Sequence, residues 1–136
     1  MQMAVIEFGR NVIGWKDAHS TEMDSNTKHP VIALMEEQHQ VKNMGGTMRL
    51  GAYDCQIEAG TLAHAIYENT LISERHRHRW EFNSDYMADY VSAGMITSGK
   101  NTENGLVEIV ELKDHPFFVG VQYHPELKST VEHCYG

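Results

Sequence analysis

FFVGVQYHPE, residues 117–126, is the stretch on which the fold turns. Phe117 to Tyr123 is a near-continuous apolar run, and such a run predicts a buried central strand. His124-Pro125 ends it, because proline has no N–H to give to a sheet ladder. In α/β sheets, chemistry gathers at the carboxyl ends of strands. His124, with Glu126 two residues on, therefore stands where a site is expected. The carboxylate would accept a hydrogen bond from one ring nitrogen, fix the tautomer and stabilise the imidazolium formed when the other nitrogen takes a proton. The blander meaning of this tripeptide, a strand-end histidine beside a solvated glutamate, is also the commoner one.

Outward from this strand, elements of both kinds follow. GLVEIVEL (105–112) and MITSG (95–99) read as strands, and SDYMADYVSA (84–93) as a helix capped by Ser84 and stopped at Gly94. LISERHRHRWEF (71–82) reads as one strand, TLAHAIYE (61–68) as a short helix with Thr61 as N-cap, and TMRLGAYDCQI (47–57) as a strand with Gly51 a possible bulge. Gly45-Gly46 marks a turn, HPVIALMEEQ (29–38) suits a strand or a helical turn, and residues 15–30 read as a polar loop. Met1, Val5, Phe8 and Val12 share one face of an opening helix over 1–13, with Gly14 as its stop and no Ser, Thr, Asp or Asn before it as a cap.

Within 71–82, Arg75-His76-Arg77-His78-Arg79 is the densest cluster of charge. In an extended chain the three arginines share one face, and the two histidines share the other with Trp80 and Phe82. An arginine ending such a row can bind a carboxylate bidentately. A solvated edge strand guarded by its charges explains the row equally well. A metal site from His76, His78, His124 and Glu126 is conceivable, but no local spacing makes it specific. Cys55 lies mid-strand, where cysteines are usually buried and inert, and Cys134 has no helix start after it. The sequence thus offers a base and its orienter without an evident nucleophile. Ser20-Thr21-Glu22 and Gln2, taken alone, are an ordinary turn and a surface amide.

Composition sets the limits. The 136 residues, 41% hydrophobic and 22% charged, suit a globular chain that buries a core. A net charge of −8 argues against nucleic-acid binding. No apolar run reaches the ~18–20 residues of a membrane span, and no basic stretch precedes the apolar start as in a signal peptide. Two cysteines fit a reducing, cytoplasmic setting.

In order, MQMAVIEF, AHSTEM, HPVIALM, GGTMRLGAY, ERHRHRWEFN, LVEIVEL and DHPFFVGVQYHPEL resemble the C-terminal glutamine amidotransferase domain of the CTP synthase family, from Met1 to about Ser129. The resemblance implies an α/β fold, a partial class I amidotransferase (flavodoxin-like) domain with a mixed β-sheet and flanking helices. It implies glutamine hydrolysis by a Cys-His-Glu triad, with ammonia passed to a synthetase domain that makes CTP from UTP and ATP. His124 would be the triad base and Glu126 its orienting carboxylate. Arg79 would bind the carboxylate of glutamine, Glu22 its α-amino group, and Gln2 would help hold the substrate. No cofactor is implied for this segment; ATP and Mg belong to the synthetase domain. The implied partners are glutamine and that synthetase domain or intact CTP synthase subunits. The family places its cysteine in a G-x-C-L-G-M-Q elbow, and this chain opens at the M-Q of that motif. A partial domain, residues 1–136, inactive alone is therefore expected. The alternative is a non-catalytic module that binds glutamine or a partner.

Overall fold

The computed structural model describes residues 1–34 and 48–131. Two sheets carry the fold. The larger is antiparallel and five-stranded, built from β3 (Arg49–Ile57), β4 (Leu71–His78), β6 (Met95–Asn101), β7 (Val107–Leu112) and β8 (Val119–Val121), in the order β4-β3-β6-β7-β8. The smaller has the order β1-β2-β5, from Ala18–Ser20, His29–Ala33 and Glu81–Phe82. In it β1 and β2 run parallel and β2 and β5 antiparallel, so the architecture is mixed. Among the described residues three short α-helices accompany the sheets: α1 (Gln2–Phe8), α2 (Leu62–Tyr67) and α3 (Met87–Ser92). Among the described residues no helix is long and apolar enough to cross a membrane.

The buried face of α1 is the one its spacing predicts, but only through Phe8. Val5, Ile6 and Phe8 are buried against Val31, Ile32, Phe82, Tyr90 and Val110. At Gly9 the helix widens into a π-helical turn over Gly9–Ile13, closed by Gly14 at φ 93°. The wider turn breaks the 3.6-residue period, so Ile13 packs on the core and Val12 is exposed. Gly9 permits the close approach there: a Cβ at this position would lie 2.5 Å from the Tyr90 hydroxyl. A second cluster, Cys55, Ile57, Ala63, Ile109 and Tyr123, fills the space under α2.

Several expectations change. Phe117–Tyr123 does not supply a buried central strand: β8 covers only Val119–Val121, is half-buried, and is the end strand of its sheet. The buried strand is β7, whose first five residues are all buried because both its faces are covered. Residues 71–82 are two strands in two sheets, broken at Arg79-Trp80. The polar stretch 15–30 contains β1 and the start of β2. Gly51 is no bulge; β3 and β4 pair without a register shift from Arg49↔His78 to Gln56↔Leu71. Thr61 caps α2 as expected, its hydroxyl accepting from the His64 N–H at 3.2 Å. The turn before α3 is capped by Asn83 rather than Ser84, through its side-chain oxygen and the Asp85 N–H. The Gly45-Gly46 turn, the end of HPVIALMEEQ and Cys134 lie outside the described residues.

Candidate active site

The break between β4 and β5 builds the site. Along β4 the alternation holds: Arg75 and Arg77 face solvent while Glu74 and His76 are buried. The chain then leaves one sheet and enters the other, and Arg79-Trp80 bridges the gap. That bridge forms a wall of a cleft of about 470 Å³ lined by Gln2, Glu22, Met48, Arg77, His78, Arg79 and Trp80. Gln2, Glu22 and Arg79, far apart in sequence, thus meet on one cavity. Gln2 comes from the first turn of α1 and donates its amide to the Trp80 carbonyl at 2.9 Å. Glu22 follows β1 in a turn held by the Ser20 hydroxyl, which accepts from the Glu22 N–H at 3.2 Å. A guanidinium and a carboxylate on one small cleft match the two ends of a free amino acid.

His124 and Glu126 follow β8. The His124 N–H donates to the Arg75 carbonyl at 2.9 Å, tying the histidine to β4. That point lies three residues, roughly 10 Å, along the strand from His78 in the cleft wall. The 3-10 turn Pro125–Leu127 brings Glu126 back, so that its Oε1 lies 2.7 Å from His124 Nδ1. The hydrogen bond to His124 holds the Glu126 carboxyl below its usual pKa. With Nδ1–H given to this carboxylate, Nε2 is left to take a proton. Cys55 has the opposite of a nucleophile's setting: burial, then the Glu108 charge, pushes its thiol up to about 12.

Behind the cleft is a buried ionic cluster that sequence reasoning missed. Arg49 on β3 donates from Nη1 to Glu81 at 3.1 Å and from Nη2 to Glu108 at 2.8 Å. Burial works against the Arg49 charge, but the two carboxylates outweigh it and its pKa is raised. His76 and His78 touch through Nδ1 and Nε2 at 2.8 Å. Burial lowers them to about 3 and about 4, so both rings are neutral at pH 7. These rings contact each other and the buried carboxylates instead of converging with His124 and Glu126. Among the described residues no group of three or more His, Cys, Asp or Glu is arranged to hold a metal ion. The one sequence signal for the cluster was Glu at buried positions of apolar strands. Glu111 shows the same signal, its carboxylate capping α2 by accepting from the N–H groups of Leu62 and Ala63 at 3.0 and 2.7 Å.

Burial pushes the Glu81 carboxyl up to about 7, against the pull of Arg49. The folded state therefore holds a proton there that the unfolded chain, near 4.5, has released. This contribution to stability is fully present below pH 4.5 and is lost as pH rises through about 7. Glu81→Gln should flatten the fall in stability between these limits. Urea-unfolding midpoints measured across that range check it; an unchanged slope contradicts the assignment.

The model of the class I glutamine amidotransferase family matches residues 1–135. The chain is 63% identical over 131 residues to the CTP synthase of Flavobacterium psychrophilum, covering 96% of this chain and 24% of that protein. It is 62% identical over 132 residues to the CTP synthase of Cytophaga hutchinsonii, covering 97% and 24%. Among solved structures, the Trypanosoma brucei CTPS glutaminase domain with bound acivicin superimposes with a TM-score of 0.91 at 40% identity, covering 98% of this chain and 52% of that one. The chain thus spans about a quarter of the length of the curated relatives it matches.

Proposed function

Since this chain belongs to the class I glutamine amidotransferase family, we propose that it forms part of the glutamine-hydrolysing site of a cytoplasmic CTP synthase. The observation that carries this reading is the meeting of Gln2, Glu22 and Arg79 on one cleft, with the His124–Glu126 pair tied to the strand that forms its wall. In this reading Arg79 takes the substrate carboxylate, Glu22 its ammonium and Gln2 a polar edge. His124 serves a cysteine thiol, withdrawing its proton for attack on the amide carbon and returning it to the departing ammonia. Cys55 is unsuited to that role, and in this reading the thiol is the one the resemblance places in the family's G-x-C-L-G-M-Q elbow. The released ammonia would go to a synthetase portion that uses UTP and ATP with Mg, and this segment itself needs no cofactor.

Glutamate release by the full-length protein tests the reading. Arg79→Ala should raise the KM for glutamine about 10- to 100-fold, the cost of a charge-assisted hydrogen-bond pair. Ammonia supplied directly should bypass the defect. Full glutaminase activity in the variant with KM unchanged would refute the assignment of the cleft.

A further inference from the structure

The groups behind the cleft form a polar chain, and the carbonyl at its Trp80 end sets its direction. The Trp80 carbonyl can only accept, so the Gln122 atom 2.8 Å from it is the amide nitrogen. That same nitrogen lies 3.0 Å from His78 Nδ1, and the tautomer that satisfies this contact has Nδ1 unprotonated and accepting the second amide hydrogen. A neutral His78 then carries its proton on Nε2 and donates it to His76 Nδ1 at 2.8 Å. His76 in turn carries its proton on Nε2, 3.2 Å from Glu108 Oε2. That pair is a close contact rather than an aligned hydrogen bond, since neither atom has a hydrogen-bond partner among the described residues, so the hydrogen-bonded chain begins at His76. The other Glu108 oxygen accepts from Arg49 Nη2. Glu81 Oε1, which accepts from Arg49 Nη1, lies further from His78 Nδ1 than the Gln122 amide does, at 3.3 Å.

The chain ends on the Trp80 carbonyl, which also receives the Gln2 amide at 2.9 Å. Trp80 lies in the two-residue bridge between the sheets, next to Arg79. Gln122 is itself held across β7, its backbone N–H donating to the Glu108 carbonyl at 2.9 Å. We infer that Gln122 and His78 are positioning residues: through a hydrogen-bond relay that runs from His76 and is tied to β7 by the Gln122 backbone, they lock the Arg79-Trp80 bridge and the Gln2 amide in the geometry that receives the ligand. Neither needs to touch the reacting atoms. The identity of that ligand as glutamine rests on the proposed function, whereas the direction of the relay does not.

Two measurements on the full-length protein test it. Nitrogen-15 NMR of histidine-labelled wild type at pH 7, assigned with His78→Gln, should show His76 and His78 both neutral with the proton on Nε2. Gln122→Met keeps the shape and removes the donor. It should raise the KM for glutamine roughly five- to tenfold with kcat within about twofold, since ground-state placement is lost and chemistry is not. A His78 protonated on Nδ1 in the wild type overturns the relay, and this needs no variant to fold. An unchanged KM in a folded Gln122→Met overturns the positioning role. A wild type with the expected tautomers but no glutamine turnover supports the relay and refutes the proposed substrate.

Discussion

Arg49→Met should destabilise the protein by about 3–5 kcal/mol, the cost of leaving buried charge without its partner. Arg49 joins β3 of the five-stranded sheet to Glu81 on β5 of the three-stranded one, and holds Glu108 on β7 as well. Both carboxylates are fully buried. The methionine fills much of the volume, so lost packing is a minor part of the effect. The Arg49 guanidinium also sits 4.4 Å from the centre of the Tyr53 ring, a contact the variant loses too. Against a total stability of ~5–15 kcal/mol, such a loss leaves a marginal fold. The triple variant Arg49→Met, Glu81→Gln, Glu108→Gln should recover part of it, because buried ion clusters exchanged as a whole are often near neutral. Equilibrium urea unfolding of the single and triple variants decides. A single-variant loss under about 1 kcal/mol would show that the charges are not paired as described.

What the sequence made legible follows from how local each feature is. His124 and Glu126 are two residues apart, so their pairing could be proposed from the tripeptide, and they lie 2.7 Å apart. The inward histidines of β4 follow from two-residue alternation alone. Glu81 and Glu108 lie 32 and 59 positions from Arg49, and no local pattern links an arginine of one strand to a glutamate of another. The buried place expected for 117–123 goes to β7 for a related reason. Apolar content measures how much a strand would gain from burial, but sheet order decides which strand receives it. LVEIVEL carries two glutamates, yet Glu108 and Glu111 are buried because Arg49 and the start of α2 satisfy them. The bridge at Arg79-Trp80 was hidden too, since a continuous strand pattern carries no mark of a change of sheet. The convergence of Gln2, Glu22 and Arg79 was available only through family resemblance.

His124→Ala in the full-length protein should cut glutamine hydrolysis by about 10²–10⁴-fold in kcat, the usual worth of a positioned general base. The geometry says why the loss should fall on kcat. His124 is not among the residues that line the cleft, so KM should stay within a few-fold. Its side chain is 42% exposed, and Glu126 is more exposed still, so stability should change by no more than about 0.5 kcal/mol. Glu126→Gln is the graded control. Its amide can still accept from His124 Nδ1–H, but the negative charge that stabilises the imidazolium is gone, so its effect should be smaller than that of His124→Ala. Synthesis driven by added ammonia should survive in both variants, because only ammonia production is impaired. Steady-state kinetics with each nitrogen source tests all of this together. Loss of ammonia-driven synthesis in a folded His124→Ala would assign the histidine a structural role. Undiminished glutamine hydrolysis would remove the His124–Glu126 pair from the mechanism.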